Sequence, residues 1–376
     1  MTEHTSPVRH ICKRLGPLWG ILCLSFLALA CRLGDLAVMP PTTAVPTPTE
    51  TGQIEPDLDR PIAAALPGSS RENPIPVGKM AVTGRFEITL LQSLRGDAAW
   101  QEIHLANANN APAPEGWEYL LVKVRVINTD SDPQKRYLGL HVTGDGRIVH
   151  FSFNSGVVSP KPPLATSLSG LEVSEGWEAY LIHLHEGNLM LVANDHTIYD
   201  PPSVYLAVNE GASITVDRET MLRINPTDLG VKRDDPTPFG QTATGEDWQV
   251  MVMDVVWGDA AWEMILDTNQ FNNPPPEGMV YILAKVRVRY IGLAEDQQSI
   301  TTQAITLLDG SGEEIKSPTV VSPEPKLFFH LYAGGEVEGW IVLQAPAEAK
   351  NLTLYFQPTY GAPTVNGRYL SLGQGR

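Results

Sequence analysis

A short histidine-rich segment near the middle of the 376-residue chain has the residue types of a metal site. His183 and His185 are two positions apart, so in a strand both imidazoles would project from the same face. His196 follows them, with aspartates beside it. Imidazole and carboxylate groups are common zinc ligands, so this set predicts a site for a metal or a solute. The alternative is two solvated histidines on an exposed face. The sequence favours that alternative, because a later copy of the segment has Pro346 and Glu348 instead.

Tryptophans are a second kind of candidate, because an indole offers a flat face for stacking on a sugar or an aromatic group. Trp117 and Trp257 have no tryptophan at the matching position of the repeat described below, and we expect them to form exposed contacts with a partner. Four other tryptophans recur in pairs, which favours core positions over a sugar platform: Trp100, Trp262, Trp177 and Trp340.

Lys123 and Arg125 form a basic stripe with their later counterparts, Lys285 and Arg287, in a chain of net charge −16. Alternate positions of a strand share a face, so each pair would project together. The sequence favours a solvated outer face on which these cations pair with carboxylates across strands. A docking surface for a partner is the alternative, with Lys123 and Arg125 as its candidate residues.

The sequence lacks the motifs of common catalytic sites: a Gly-x-Ser-x-Gly elbow, a phosphate-binding loop or a His-Glu-x-x-His pair. Its cysteines, Cys12, Cys23 and Cys31, all precede residue 32, so the remainder can form no disulfide and no thiolate site. The acidic charge repels phosphate backbones, which argues against nucleic acid as a partner. We therefore predict that the chain is not an enzyme and needs no cofactor.

Internal repetition is the strongest signal in the sequence. Three segments recur at an offset of 162 or 163: Gly-Asp-Ala-Ala-Trp at 96–100 and 258–262, the residues 114–126 and 276–288, and Glu-Gly-Trp at 175–177 and 338–340. A period this long corresponds to a domain, not to a solenoid unit. We therefore predict two tandem domains, the first over 71–222 and the second over 223–376.

Each copy has the alternating pattern of β-strands. In the segment 120–126 the even-numbered residues are apolar and share one face, whereas Lys123 and Arg125 share the other. Pro-Glu-Gly before this strand and Asp-Gly after it are turn signals. Short alternating strands with such turns predict an all-β fold of two β-sandwiches. The one helical pattern, 96–103, is predicted to be a single turn within a connection.

The order of these motifs resembles the telokin-like domains of bacterial lipoproteins. The shared order is Asn-Pro-x-Pro-x-Gly, an alternating strand, Pro-Glu-Gly-x-x-Tyr, a Lys-Val-Arg-Val strand, an Asp-Gly turn and a Glu-Gly-Trp strand. The first copy also has the family's Asn128-Thr129 turn, whereas the second departs with Tyr290-Ile291. The resemblance covers most of both copies and implies two tandem immunoglobulin-like sandwiches on an exported protein. It implies fold and location but no chemistry.

The N-terminal segment has the pattern of a secretory signal. An apolar run over 15–30 follows three basic residues: Arg9, Lys13 and Arg14. At about 1.5 Å per residue the run is short for a hydrocarbon core of ~30 Å. Basic charges before an apolar run predict export of the residues that follow it.

The apolar run ends in Leu-Ala-Leu-Ala-Cys, which resembles the lipobox of bacterial lipoproteins and implies that Cys31 is lipidated. Ala28 departs from the family's usual leucine, so an uncleaved signal-anchor and plain secretion remain alternatives. We predict a signal peptide over 1–31 and a Pro/Thr-rich tether over 32–70.

These features predict a non-catalytic lipoprotein, anchored at the outer face of the cytoplasmic membrane or in the cell envelope. Its expected role is a binding or scaffolding module for an envelope protein or a glycan. The alternative is a solute- or metal-binding lipoprotein that uses the loop region of His183 and His185.

A difference in spacing between the copies supports a recognition loop in that region. Tyr205 follows Trp177 by 28 residues, whereas Tyr355 follows Trp340 by 15. If the two tyrosines correspond, the first copy has an insertion between His183 and Pro202. Recognition usually lies on such loops, although a tolerated surface insertion is the simpler interpretation.

Overall fold

The structure is a computed structural model that describes residues 66–199, 201–358 and 364–373. The predicted signal segment, the lipidation site Cys31 and most of the predicted tether lie outside the described residues. The described chain is all-β, as predicted, with antiparallel sheets and few helices. No helix within these ranges is long and apolar enough to cross a membrane.

The first half of the described chain, residues 66–222, forms two antiparallel sheets. One has the order β1-β2-β3-β7 and the other the order β5-β4-β8-β9, with β6 paired to β4. The strands are β1 Met80–Thr83, β2 Phe86–Arg95, β3 Trp117–Asn128, β4 Arg136–Thr143, β5 Val149–His150, β6 Ser167–Leu168, β7 Val173–His183, β8 Met190–Asp195 and β9 Val204–Ala207.

The second half, residues 223–373, has sheets of order β10-β11-β12-β17 and β15-β14-β18-β19, and a separate pair β13-β16. Its strands are β10 Ala243–Thr244, β11 Trp248–Trp257, β12 Met279–Tyr290, β13 Gln298–Thr301, β14 Ile305–Leu308, β15 Glu314–Ile315, β16 Phe328–Leu331, β17 Glu336–Pro346, β18 Thr353–Phe356 and β19 Arg368–Ser371. The helices are α1 Asp97–Ala106, α2 Arg218–Leu222 and α3 Gly258–Thr268.

In each half the two larger sheets face each other across an apolar core. Val122 of β3 and Leu191 of β8 belong to one buried cluster in the first half. Val286 of β12 and Leu354 of β18 do the same in the second half. The even-numbered residues of the segment 120–126 are all buried, as the alternation predicted. Each half is therefore a β-sandwich, and the predicted immunoglobulin-like, all-β class is confirmed.

The segment predicted to be a single turn is instead a full helix in both halves, α1 and α3. Ala99 and Ile103 lie four residues apart on one face of α1 and are buried against Leu121, on the outer face of the sheet. A short helix of this kind is marginal alone and is stabilised by packing. The recurring tryptophans lie half-buried in this outer layer and in its counterpart under α3, not in the sandwich cores: Trp100, Trp177, Trp262 and Trp340.

The insertion predicted in the first half is wrong. The prediction assumed that Tyr205 and Tyr355 correspond, but Tyr205 lies in β9 and Tyr355 in β18. Strand β18 is the counterpart of β8, because each is the first strand after the Glu-Gly-Trp strand. The counterpart of β9 is β19, because each forms a bridge to the segment that precedes the first sheet of its half.

Candidate binding site

A groove of about 880 Å³ opens in the second half, beside β17. Hydroxyl and amide side chains make up about half of its lining, including Thr301, Gln303, Thr306 and Ser317, and apolar side chains make up most of the rest. The one charged residue among the described lining is Glu314. Such a surface can donate and accept hydrogen bonds without strong selection by charge. It therefore suits a neutral or weakly charged polar ligand.

The groove results from a short insertion that breaks a strand. In the first half β4 is continuous, with Arg136 paired to β6 and Leu140 paired to β8. The equivalent pairings in the second half, to β16 and β18, use Gln298 and Ile305. Leu140 follows Arg136 by four residues, but Ile305 follows Gln298 by seven. The extra residues form the 3₁₀ turn Thr302–Ala304, which separates β13 from β14.

One wall of the groove is a strand edge whose main chain is unpaired. Directly after β17, the main-chain N–H of Ala347 donates to the carbonyl of Gly278, which directly precedes β12. Because main-chain groups alternate in direction along a strand, the odd-numbered residues of β17 point their amides toward β12. The even-numbered residues point away from β12, and Trp340 bonds there to the segment 325–327. Beyond it, the main-chain groups of Val342 and Gln344 have no hydrogen-bond partner among the described residues. Val342 lines the groove.

In the first half, a turn of the chain packs beside the matching edge, where the outward main-chain groups of Ala179 and Leu181 also have no hydrogen-bond partner among the described residues. The 3₁₀ turn Ser152–Ser155 lies beside β7, and Ser152 hydrogen-bonds the carboxylate of Glu178. The Tyr180 hydroxyl donates to the same carboxylate at 2.8 Å. Burial raises the pKa of Glu178, against the effect of these two hydrogen bonds. The corresponding residues of β17 are Ile341 and Leu343, which line the open groove.

A smaller cleft of about 100 Å³ lies where the two halves meet. Trp117, His150 and Phe151 contribute from the first half, and Phe328 and His330 from the second. Burial lowers the pKa of His330. The cleft is therefore aromatic, with imidazole groups at its wall, and it has room for one small side chain or solute.

Two residues from separate predicted sites meet beside this cleft. The rings of Trp117 and His183 stack with their centroids 4.0 Å apart. Nε2 of His150 lies 2.8 Å from Oε2 of Glu186, and both side chains are buried. Burial and the neighbouring His150 lower the pKa of His183, so its imidazole is neutral at pH 7.

The histidines predicted to share a metal are not brought together. His183 stacks on Trp117, and His185 is exposed in the turn after β7. His196 is exposed at the far end of β8, where its main-chain N–H donates to the carbonyl of Tyr137. Throughout the described ranges, no cluster of three or more His, Cys, Asp or Glu side chains could hold a metal ion.

The other predicted surface residues lie away from the groove lining. Lys123 forms an ion pair with Glu175 at 2.8 Å, and Arg125 is exposed beside it on β3. Lys285 and Arg287 pair with Glu338 in the same way. These contacts match the cross-strand pairing that the sequence favoured. Trp257 precedes α3 and packs half-buried against the core of the second half.

No protein-family model matches the chain, and neither does any curated protein. Several solved structures, including the three that follow, are similar to part of it. The ycdA protein of Bacillus subtilis, described as a candidate lipoprotein, is 15% identical with a TM-score of 0.28, over 34% of this chain and 37% of that chain. The chain thus spans little more than a third of the length of ycdA.

The yjhA protein of Bacillus subtilis is 14% identical with a TM-score of 0.26, over 36% of this chain and 98% of that one. A β-sandwich protein from Clostridium difficile 630 is 11% identical with a TM-score of 0.23, over 37% of this chain and 96% of that one. The structural neighbours thus include a candidate lipoprotein and a β-sandwich protein. Similarities this weak carry no inference about function.

Proposed function

We propose that the chain is a non-catalytic, membrane-tethered binding module outside the cytoplasm, which contacts an envelope protein or a glycan through the groove of its second half. The observation that carries this proposal is the groove itself, about 880 Å³ with a nearly uncharged lining of polar and apolar side chains. Its volume falls within the range of about 300–1,000 Å³ that is common for ligand sites.

The address and the domain family are part of the same proposal. Cys31 would carry the lipid anchor, and the Pro/Thr-rich segment after it would hold the sandwiches away from the membrane. The two halves would be tandem telokin-like domains. The lipobox-like end of the apolar run supports the anchor, and the offset of 162 to 163 between recurring motifs supports the duplication.

Solute binding at the junction cleft is a second candidate function, and the stacked pair of Trp117 and His183 favours it. An aromatic cleft beside the buried pair of His150 and Glu186 could accept one small ring or side chain. With about 100 Å³ it has far less room than the groove. The groove therefore remains the first choice.

Site-specific photo-crosslinking of the full-length chain in its native host tests this function. A photoreactive amino acid at Gln303 or Ser317, both exposed at the groove, is expected to capture an envelope component. The same amino acid at Arg125, exposed on the outer face of β3, is the control. Equal adducts at both places, or none at the groove, would contradict the proposal.

A further inference from the structure

We infer that the groove binds an extended polypeptide segment, which adds as a new strand to the open edge of β17. This inference rests on the proposed binding function and gives it a ligand class. The unpaired main-chain groups of Val342 and Gln344 carry the inference, because they lie two residues apart on one side of β17. Each residue offers one N–H donor and one C=O acceptor. An extended peptide presents its own donors and acceptors at this repeat, which is how strand addition works in other proteins.

A glycan fits this edge less well. Sugar hydroxyls can bond single amides, but they do not repeat donor and acceptor pairs at the spacing of every second residue of a strand. The opposite wall adds a place for side chains, because Ala304 and Ile305 line the groove together with Ile341. We therefore expect a peptide with small apolar residues at alternate positions and neutral polar residues between them.

In the first half the turn Ser152–Ser155 packs beside the matching edge of β7, and the cleft of about 100 Å³ lies nearby. In the second half the chain after β15 meets the edge at one point, where the Gln344 side chain donates to the carbonyl of Lys316. It then reaches Val321, which Asn272 holds by hydrogen bonds in both directions, as Asn110 holds Val158 in the first half.

The experiment is a selection followed by two tests of the main-chain contact. A displayed library of short random peptides is panned against the full-length chain, after depletion on a Thr306→Trp variant whose groove is filled. Binding of the selected peptides is then compared between Val342→Pro and Val342→Ala. The proline removes an N–H that β12 does not use, whereas the alanine shortens only the side chain.

We expect Val342→Pro to bind about tenfold more weakly than Val342→Ala, because only the proline loses a main-chain hydrogen bond. Melting curves check that each variant folds. If the proline variant does not fold, peptides methylated at alternate amide nitrogens test the same contact on the native chain. Methylation of the alternate amide nitrogens that face β17 should abolish binding. Methylation of the amide nitrogens that face away from β17 should leave binding intact.

Two outcomes would overturn strand addition: no peptide enriched over the filled groove, or equal binding to the proline and alanine variants. The same chains are also tested with cell-wall oligosaccharides as probes. Sugar binding that Thr306→Trp abolishes and Val342→Pro leaves intact would retain the proposed function and reject a peptide ligand. A groove that binds neither peptide nor sugar, and captures nothing in cells, would reject both proposals.

Discussion

Glu178 and Ile341 occupy corresponding positions, and the difference between them changes how a neighbouring turn is tied to the strand. In the first half the carboxylate of Glu178 accepts hydrogen bonds from Ser152 and Tyr180, which ties the covering turn to β7. An isoleucine cannot hold such a turn by hydrogen bonds. In the second half the chain is tied to β17 elsewhere, by a hydrogen bond from the Gln344 side chain to the carbonyl of Lys316.

The substitution Glu178→Gln is expected to stabilise the protein at neutral pH. Burial raises the pKa of Glu178, so the folded state holds its proton more tightly than the unfolded state. The protonated Glu178 carboxyl therefore stabilises the fold at low pH, and this stabilisation is lost as the pH rises through the pKa that Glu178 has in the folded state. Glutamine can keep both hydrogen bonds without a charge, and a gain on the order of 1 kcal/mol is expected.

Urea unfolding of both chains near pH 7 and near pH 4 measures this effect. The gain should be present at the higher pH and shrink at the lower one, where the native carboxyl is protonated. A glutamine variant that is equally stable at the higher pH, or less stable, would contradict a desolvated carboxylate at this position.

At the scale of elements, α1 and α3 add an apolar layer to the outer faces of two sheets. Ile103 of α1 is fully buried, whereas Leu105 on the same helix is 79% exposed. We expect Ile103→Ala to lower the free energy of unfolding by about 2–5 kcal/mol, because it leaves a cavity against the sheet. Leu105→Ala is the matched control and should change it by less than about 0.5 kcal/mol. Chemical denaturation of both variants measures the difference, and similar losses would show that the helix is not seated by this face.

The strand faces could be predicted from the sequence because alternation is local. Val122 and Val124 point inward for a reason visible within a few residues. The length of the two helices could not be predicted. A short helix with one apolar stripe gains its stability by packing on a sheet, and the sequence does not show that contact. Their positions were still marked by the recurring Gly-Asp-Ala-Ala-Trp motif.

The groove could not be predicted, because its cause is hidden in the spacing of the repeat. At the 3₁₀ turn the offset between matching residues rises to 165, as between Leu140 and Ile305. The offset returns to 163 at the Glu-Gly-Trp motif, whereas it is 162 for the motifs before the turn. Comparing the motifs alone therefore shows a change of only one residue in the offset. A main-chain edge also has no side-chain signature, and Val342 has the appearance of any other strand residue.

At the scale of the whole described chain, Tyr332 joins the two halves. It belongs to the second half but is buried among residues of the first, with the Arg71 guanidinium 4.3 Å from its ring centre. Its hydroxyl lies 2.8 Å from Nε2 of His141, and the N–H of Tyr332 donates to the carbonyl of Arg147. The groove borders none of these residues. Binding in the groove and the junction between the halves can therefore be perturbed separately.

This junction should weaken in acid, because His141 is held neutral there. Burial, together with the nearby His330, His196 and His150, lowers the pKa of His141 from 6.5 to about 3. Between these values the unfolded state binds one proton more, so stability falls as the pH falls, by up to about 1.4 kcal/mol per pH unit. His141→Gln removes this proton uptake and can still hydrogen-bond Tyr332, so its unfolding free energy should depend less steeply on pH. Urea unfolding across that range compares the slopes, and equal slopes would mean that His141 is not the group that acid protonates on unfolding.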